Sequence, residues 1–363
     1  MDSNANTICL VMIVKNEAGV IRRCLDSVRG LINHWVICDT GSTDRTQEVI
    51  HQALTGIPGS LHQVPWVDFG HNRTEALQLA RGKADYHLLL DADMTVNVSD
   101  DFRNRLTEDT YLVRYEDALE WWVERLVSDR HEWEFVGAAH EYIRSRTART
   151  RAKLSGLSVT HHADGGCQSG KIDRYLALLN RALEKDPDNP RSVFYIAQSW
   201  RDLGNLPRAI EWYEKRATMG GWEEEVWYSL FQVAHLQHRL GWAWPLVLNA
   251  YLAAYQYRPT RLEPSYQITR FYCENGQYDL AYLFGRPVAG AQYPDDILFI
   301  ERGIYEHGFP LEYALACAGS GRRDEAVKVL DGILAASSVP ETVKQAARER
   351  RARILGGKPQ AAA

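Results

Sequence analysis

The sequence predicts an α/β domain with a mostly parallel sheet, followed by an all-helical domain. Two observations carry this prediction. Apolar strand patterns alternate with helical patterns over about the first 94 residues, and amphipathic helical patterns with glycine-containing breaks continue from Gly170 towards the end. With 363 residues, 45% of them apolar, the chain is long enough to bury the cores of two domains.

The first part of the chain contains four apolar strand patterns. Strand–helix alternation implies right-handed crossovers and parallel strands, and ligands bind at the carboxyl ends of such strands. The predicted strands are 8–14, 35–39, 61–66 and 86–90, and the predicted helices are 18–30, a helix starting at 43, and 72–81.

Residues 101–162 have irregular β-like patterns around an aromatic cluster. The candidate strands are 111–115, 125–128, 142–144 and 157–160, and the cluster consists of Trp121, Trp122, Trp133 and Phe135.

Helical patterns with a repeat follow. Gly204-Asn205, Gly241-Trp242 and Gly276-Gln277 recur at spacings of 37 and 35 residues, and a weaker unit begins at Gly319. Repeats of about 34 residues are typical of stacked helix pairs. We therefore predict an α/β domain over 1–165, a helical-repeat domain over 166–355 and a disordered tail over 356–363.

Composition narrows the function classes. The net charge of −5 does not indicate broad attraction to nucleic acid or lipid. Six dispersed cysteines suit a reduced, cytoplasmic protein, and no apolar run approaches the roughly 18 residues that span a membrane. One basic run is expected to be a solvated hairpin, although it keeps a nucleic-acid acceptor open. It comprises Arg144, Arg146, Arg149, Arg151 and Lys153.

Polar side chains follow the first, second and fourth predicted strands, as Lys15-Asn16-Glu17, Asp39-Thr40-Gly41 and Asp91-Ala92-Asp93. Alternation along an extended backbone directs Asp91 and Asp93 to the same side, where they can share one hard cation. The simpler interpretation of the Asp-x-Asp pair is an acidic turn at a strand end.

Four motifs occur together: Val14-Lys-Asn-Glu17, the segment from Cys38 to Thr46, the segment from Asp68 to Arg73, and Leu90-Asp-Ala-Asp-Met94. In order and spacing they resemble the family 2 glycosyltransferases of the GT-A fold, over roughly the first 165 residues. The helical remainder, with segments 194–204 and 220–228, resembles the tetratricopeptide-type domain of a bacterial subset that includes relatives of peptide glycosyltransferases.

The resemblance implies a nucleotide-sugar donor, expected to be UDP-linked. Asp39 would accept the imide N–H of uracil, and Arg73 would reach the diphosphate. Glu17 would touch the base or ribose, but it could equally be an acid that stabilises a helix N-terminus. Arg73 could instead form a salt bridge to Asp91 or Asp93. The nucleotide-binding residues predicted in this way are Val14, Asn16, Glu17, Asp39, Arg73, Asp91 and Lys171, the last near a loop expected to close over the donor.

The same resemblance implies that Asp93 binds Mn²⁺ or Mg²⁺, assisted by Asp91. A histidine after the last strand of the domain supplies one more ligand in many such enzymes. Strand alternation allows only one of His161 and His162 to face the metal, and we favour His162.

An inverting enzyme also needs a general base facing the acceptor. We predict Glu141 as this base, with His140 lining the acceptor or sugar pocket, because the pair resembles a His-Glu motif of the family. The alternatives are an exposed surface pair at this position and a base supplied by Glu116-Asp117.

The predicted function is an inverting, metal-dependent, hexosyltransferase-like enzyme. The helical repeats would present a peptide or protein acceptor or form a homodimer. Other acceptors stay open: a glycan, a lipid-linked intermediate or modified nucleic acid. A scaffold with a degenerate transferase domain is the non-catalytic alternative. A nucleotidyltransferase is disfavoured, since no glycine-rich loop follows the first strand.

Overall fold

The computed structural model describes residues 5–115, 119–166 and 170–356, apart from the side chain of Lys171. Glu116-Asp117, Cys167, the Lys171 side chain and residues 357–363 therefore lie outside the described part, together with the predictions made for them. The chain packs as two compact units, residues 1–205 and 206–363.

An eight-stranded sheet forms the centre of the first unit, in the order β3-β2-β1-β4-β7-β6-β10-β5. Strands β1 to β4 pair in parallel, as does β6 with β10, whereas β7 and β5 are antiparallel to their neighbours. The predicted GT-A-like, mostly parallel sheet is confirmed. The strands are β1 (Ile8–Val14), β2 (His34–Asp39), β3 (Gly59–Gln63), β4 (Tyr86–Leu89), β5 (Met94–Val98), β6 (Thr110–Tyr115), β7 (Trp121–Ser128) and β10 (Arg151–His161), with β8 (Glu134–Val136) and β9 (Tyr142–Arg144) forming a separate hairpin.

The central strand β1 is buried on both faces, which is why it appears as a continuous apolar run. Leu10 and Met12 belong to the core that includes α1 (Ile21–Val28) and α2 (Thr46–Ala53). Cys9 and Val11 belong to the opposite core, which includes α3 (Phe69–Ala80). In the register of β1 with β2, Val14 lies beside Asp39, so the polar segments after the two strands are neighbours.

The sequence patterns missed two strands and shortened two others. β5 and β8 were not predicted, and β7 and β10 begin earlier than expected. The early part of β10 was assigned to a basic hairpin because its charged side chains obscure the strand pattern. In the structure Arg151 Nη1 lies 3.3 Å from Glu124 Oε1, and Lys153 Nζ lies 5.1 Å from the centre of the Trp122 ring. Both residues are part of strand β10 and contact side chains of residues in the same sheet.

Two helices after β10 pack within the first unit: α4 (Lys171–Lys185) and α5 (Pro190–Asp202). The start of α5 is specified locally. Pro190 occupies the first helical turn, where no N–H is needed, and the Asn189 side chain accepts the Ser192 N–H at 3.0 Å.

The second unit is all-helical, as predicted for a tetratricopeptide-like domain. Gly241, Gly276 and Gly321 have positive φ angles of 71°, 69° and 83° and connect the helices of successive hairpins, where glycine adopts this backbone without strain. The spacing from Gly276 to Gly321 is longer, at 45 residues, and it includes a connection without an α-helix over 286–308. The helices are α6 (Leu206–Thr218), α7 (Glu223–Arg239), α8 (Trp244–Tyr257), α9 (Glu263–Glu274), α10 (Tyr278–Gly285), α11 (Phe309–Gly319), α12 (Arg323–Ala335) and α13 (Glu341–Gly356).

None of the helices in the described ranges has both the length and the hydropathy needed to cross a bilayer.

Candidate functional site

Asp39 lies at the end of β2, as predicted, but its carboxylate already organises the following turn. Oδ1 accepts the N–H groups of Gly41 and Ser42 at 3.0 and 2.8 Å, and Oδ2 accepts from Gln47 Nε2 at 2.5 Å. The side chain is 1% exposed. A carboxylate has about four acceptor positions, so three are used and one remains for another donor.

The end of β1 is joined to the same turn. Asn16 has a positive φ of 56°, and its N–H donates to Ser42 Oγ at 2.9 Å. Its Oδ1 accepts the Thr43 N–H at 2.7 Å, and the Val14 carbonyl accepts the Thr40 N–H at 2.9 Å. The predicted nucleotide-binding residues Val14, Asn16 and Asp39 therefore do lie together.

Asp91 lies between two arginines. Arg73 donates to Oδ1 of Asp91, and Arg125 Nη2 is 3.7 Å from Oδ2. Burial alone would raise the pKa of Asp91, but the two guanidinium groups outweigh it and lower that pKa to about 2. The carboxylate is thus held ionised by protein cations.

Arg73 also contacts the predicted base. Its Nε lies 2.6 Å from Glu141 Oε1, an ion pair whose N–H direction falls short of a good hydrogen bond. Burial opposes the charge on Arg73, yet Asp91 and Glu141 together raise its pKa above the usual range. Arg73 therefore forms the salt bridge to Asp91 that was the alternative to diphosphate binding. It also links the Asp-x-Asp segment to His140-Glu141.

Asp93 is 8% exposed, and its Oδ2 lies 3.2 Å from His161 Nε2. His162, the residue after β10, is exposed, and its Nε2 lies 3.0 Å from Thr95 Oγ1. His161, and not the favoured His162, is therefore the histidine beside Asp93, while the metal-binding role of either histidine stays a prediction. Strand alternation does separate the two rings, but the sequence alone did not fix which of them turns inward.

Residues 164–166, here called the strap, lie against Glu17 and Asp93. Asp164 pairs with Arg23 through two hydrogen bonds of 3.0 and 2.7 Å, and Glu17 Oε2 accepts the Gly166 N–H at 2.8 Å. A Cβ atom added at Gly165 would lie 3.2 Å from Glu17 Oε2 and 3.3 Å from Asp93 Oδ2. The two carboxylates therefore converge on the same small space.

The electrostatics agree with this convergence. The pKa of Glu17 is raised, mainly by burial and also by the charges of Asp93, Asp91 and Asp44, while the Gly166 N–H partly opposes the rise. A group of neighbouring carboxylates at the carboxyl ends of parallel strands is suited to a cation or to a donor of several N–H groups.

The donor chemistry can be compared with what a divalent cation requires. No group of three or more His, Cys, Asp or Glu side chains is assembled as a metal site in the described ranges. Two ligands about 2.1 Å from one octahedral ion lie about 3.0 Å apart, close to the 3.2 Å between Asp93 Oδ2 and His161 Nε2. The two atoms are within hydrogen-bond distance of each other, and a carboxylate oxygen and an imidazole nitrogen are also the types of ligand that bind such a cation.

His140 is packed among aromatic rings of α4 and α5. Its ring stacks on Tyr195 with centroids 3.8 Å apart and planes 2° from parallel, and Tyr175 meets it edge-on at 4.9 Å. Arg191 Nε donates to the His140 carbonyl at 2.7 Å.

Several residues of this region were missed by the sequence analysis. Arg125 was part of a predicted strand, and Tyr195 lies in the segment 194–204, which resembles the tetratricopeptide-type domain. The sequence offered no signal that Arg125, Tyr175, Arg191 or Tyr195 would be near the acidic motif, because long-range packing brings them there.

The N-terminal part of the chain matches a known protein family. Residues 9–104 match the model for glycosyl transferase family 2. The chain is 26% identical over 311 residues to a TPR repeat-containing protein of Synechococcus elongatus, covering 78% of this chain and 75% of that protein. It is 23% identical over 230 residues to the SPbeta prophage-derived glycosyltransferase SunS of Bacillus subtilis, covering 59% of this chain and about half, 54%, of SunS.

A solved tetratricopeptide repeat protein from Parabacteroides merdae is 17% identical, with 52% of this chain and 67% of that chain covered. Its TM-score of 0.37 is too low to decide the fold.

The match over residues 9–104 shows a glycosyl transferase family 2 domain at the N-terminus of the chain. The family match and the similarity to SunS support glycosyl transfer in general.

Proposed function

We propose that this protein is an inverting glycosyltransferase that moves a sugar from a UDP-linked donor to a peptide or protein acceptor. The observation that carries the proposal is that Glu17, Asp93 and His161 come together beside the ends of β1, β4 and β10. The first two lie within the residues that match family 2. Ligands of α/β sheets bind where the strand ends meet.

The nucleotide would lie at the ends of β1 and β2. Asp39 has one acceptor position left for the N–H of a base. Asn16 and Val14 lie beside this position, at the end of β1. Asp91 would lie beside the bound nucleotide. The negative charge of its carboxylate is already balanced by Arg73 and Arg125. We therefore assign Arg73 to orienting Asp91 and Glu141 rather than to binding the diphosphate.

Asp93 and His161 would hold Mn²⁺ or Mg²⁺ in this site, with Asp91 outside the first set of ligands. A bound divalent cation would neutralise charge on the diphosphate leaving group. Glu17 would contribute a further oxygen, because its Oε2 and Asp93 Oδ2 both lie beside Gly165.

Glu141 would accept the proton of the attacking group on the acceptor. Its contact with Arg73 Nε fixes one carboxylate oxygen, Oε1, and leaves the second oxygen for the acceptor. The helical hairpins of the second unit are the kind of surface that binds extended peptides, which favours a peptide or protein acceptor.

Ligand binding tests the proposal before any acceptor is known. Calorimetry and thermal shift would compare UDP and a panel of UDP- and GDP-sugars, each with and without MnCl₂. We expect UDP to bind with Mn²⁺ and to raise the melting temperature, because a ligand of the folded state stabilises it. Absence of UDP binding under both conditions would contradict the proposal and favour the scaffold alternative.

A further inference from the structure

The backbone at His140, immediately before the proposed base, is unusual. Its φ angle is +50°, in the left-handed region that few residues other than glycine adopt. Such a conformation is sterically unfavourable and persists where surrounding contacts fix it. The contacts that fix it therefore also determine where the Glu141 side chain begins.

Those contacts come from α5. The Tyr195 ring covers one face of the His140 ring, in the 3.8 Å stack. Arg191 lies 5.0 Å from the Tyr195 ring centre and 5.4 Å from that of Tyr142, and its Nε donates to the His140 carbonyl. One arginine thus holds both the backbone of the strained residue and the ring that stacks on it.

The other end of this arrangement is the site itself. The Glu141 side chain is 12% exposed and is held by Arg73, which in turn holds Asp91. Tyr175 of α4 touches the His140 ring, and the pKa of Tyr175 is raised to about 12, mainly by burial and then by the charges of Asp91 and Glu141. Helices α4 and α5 thus extend to the reacting groups of the first unit.

We infer that Arg191 and Tyr195 are positioning residues, which hold the left-handed backbone of His140 so that Glu141 faces the acceptor. This inference rests on the proposed function of Glu141. It predicts that α5 contributes to the chemical step and not to donor binding, because both residues contact His140, next to the proposed base.

The test uses Tyr195→Leu, which removes the flat ring, and Arg191→Met, which removes the hydrogen bond to His140. Tyr195→Phe keeps the stack and serves as the conservative control, and Leu203→Ala changes an exposed residue next to α5. The readouts are kcat and KM for release of sugar from the nucleotide sugar that the wild type hydrolyses, UDP affinity by calorimetry with MnCl₂, and the melting temperature.

We expect kcat to fall by about 30- to 100-fold in Tyr195→Leu and Arg191→Met, since a misplacement of about 1 Å costs about that much. KM and UDP affinity should stay within about 2-fold of wild type, and Tyr195→Phe should keep most of kcat. Arg191 is only partly buried, so its variant tests the inference even if Tyr195→Leu does not fold.

Two results would overturn the inference and leave the proposed function in place. One is an active wild type with kcat unchanged in Tyr195→Leu and Arg191→Met. The other is a parallel loss of kcat and UDP affinity, which would mean that α5 only supports the fold. A wild type that binds no UDP and hydrolyses no donor of the panel would instead contradict the proposed function.

Discussion

Replacing Asp91 by asparagine should make the protein less stable at neutral pH and should remove part of the dependence of its stability on acid. Arg73 and Arg125 lower the pKa of Asp91 from 3.8 to about 2. This lowering corresponds to about 2 kcal/mol of stability from the ionised form.

The sign follows from the direction of the shift. Because the folded-state pKa is depressed, this stabilisation is fully present above about pH 5 and is lost as pH falls from about 4 towards 2. At about pH 3 about half of it should remain. The stability gap between wild type and Asp91→Asn should therefore narrow by about 1 kcal/mol between about pH 6 and pH 3.

Urea unfolding followed by tryptophan fluorescence, at several pH values in this range, measures the gap directly. Asp26→Asn is the matched control, because the ion pair of Asp26 with Arg22 is exposed and worth little. A gap that stays constant with pH would refute the electrostatic account of Asp91. So would an Asp91→Asn variant as stable as wild type at neutral pH.

Three further predictions concern the neighbouring groups. His161→Ala should weaken Mn²⁺-dependent UDP binding by about 10-fold or more, whereas His162→Ala should change it by less than about 3-fold in the same calorimetric titration; equal effects would contradict the assignment. Gly70→Ala should destabilise the fold by about 1 to 3 kcal/mol in urea, since its Cβ would lie 2.5 Å from the Gly137 carbonyl oxygen, while Gly332→Ala, in open space on α12, should be neutral or stabilising; a neutral Gly70→Ala would count against the close packing of α3. Glu141→Gln should lower kcat of transfer by at least about 100-fold with UDP affinity unchanged, and full activity would exclude Glu141 as the base.

Much of the first unit was predictable because its strands are apolar on both faces. β1 was predicted at 8–14 and found at Ile8–Val14, and the positions of β2, β4 and α3 also follow from periodicity. β10 was predicted too short, since its first half alternates exposed charges with partly buried residues. Periodicity reports burial, and a strand whose side chains face solvent gives a weak signal.

The polar strand ends of the site were visible in the sequence, but its internal pairing was not. Asp39, Asp91 and Asp93 stand out because carboxylates rarely follow buried strands without a reason. Whether Arg73 faces a ligand or Glu141, and whether His161 or His162 turns inward, depends on distances between segments about 70 residues apart. The ring of Tyr195 and the guanidinium of Arg191 reach His140 only through the packing of α5, which no local pattern encodes.

The role of Asp93 is the central claim, and one measurement tests it most directly. The rate of sugar release from a UDP-sugar that the wild type binds should be compared for wild type with MnCl₂, wild type with excess EDTA, and Asp93→Ala with MnCl₂, with melting curves to establish folding. We predict release in the first case and a loss of it in the other two, with Asp93→Ala folded. Full activity of folded Asp93→Ala, or of wild type in EDTA, would contradict the metal-dependent account.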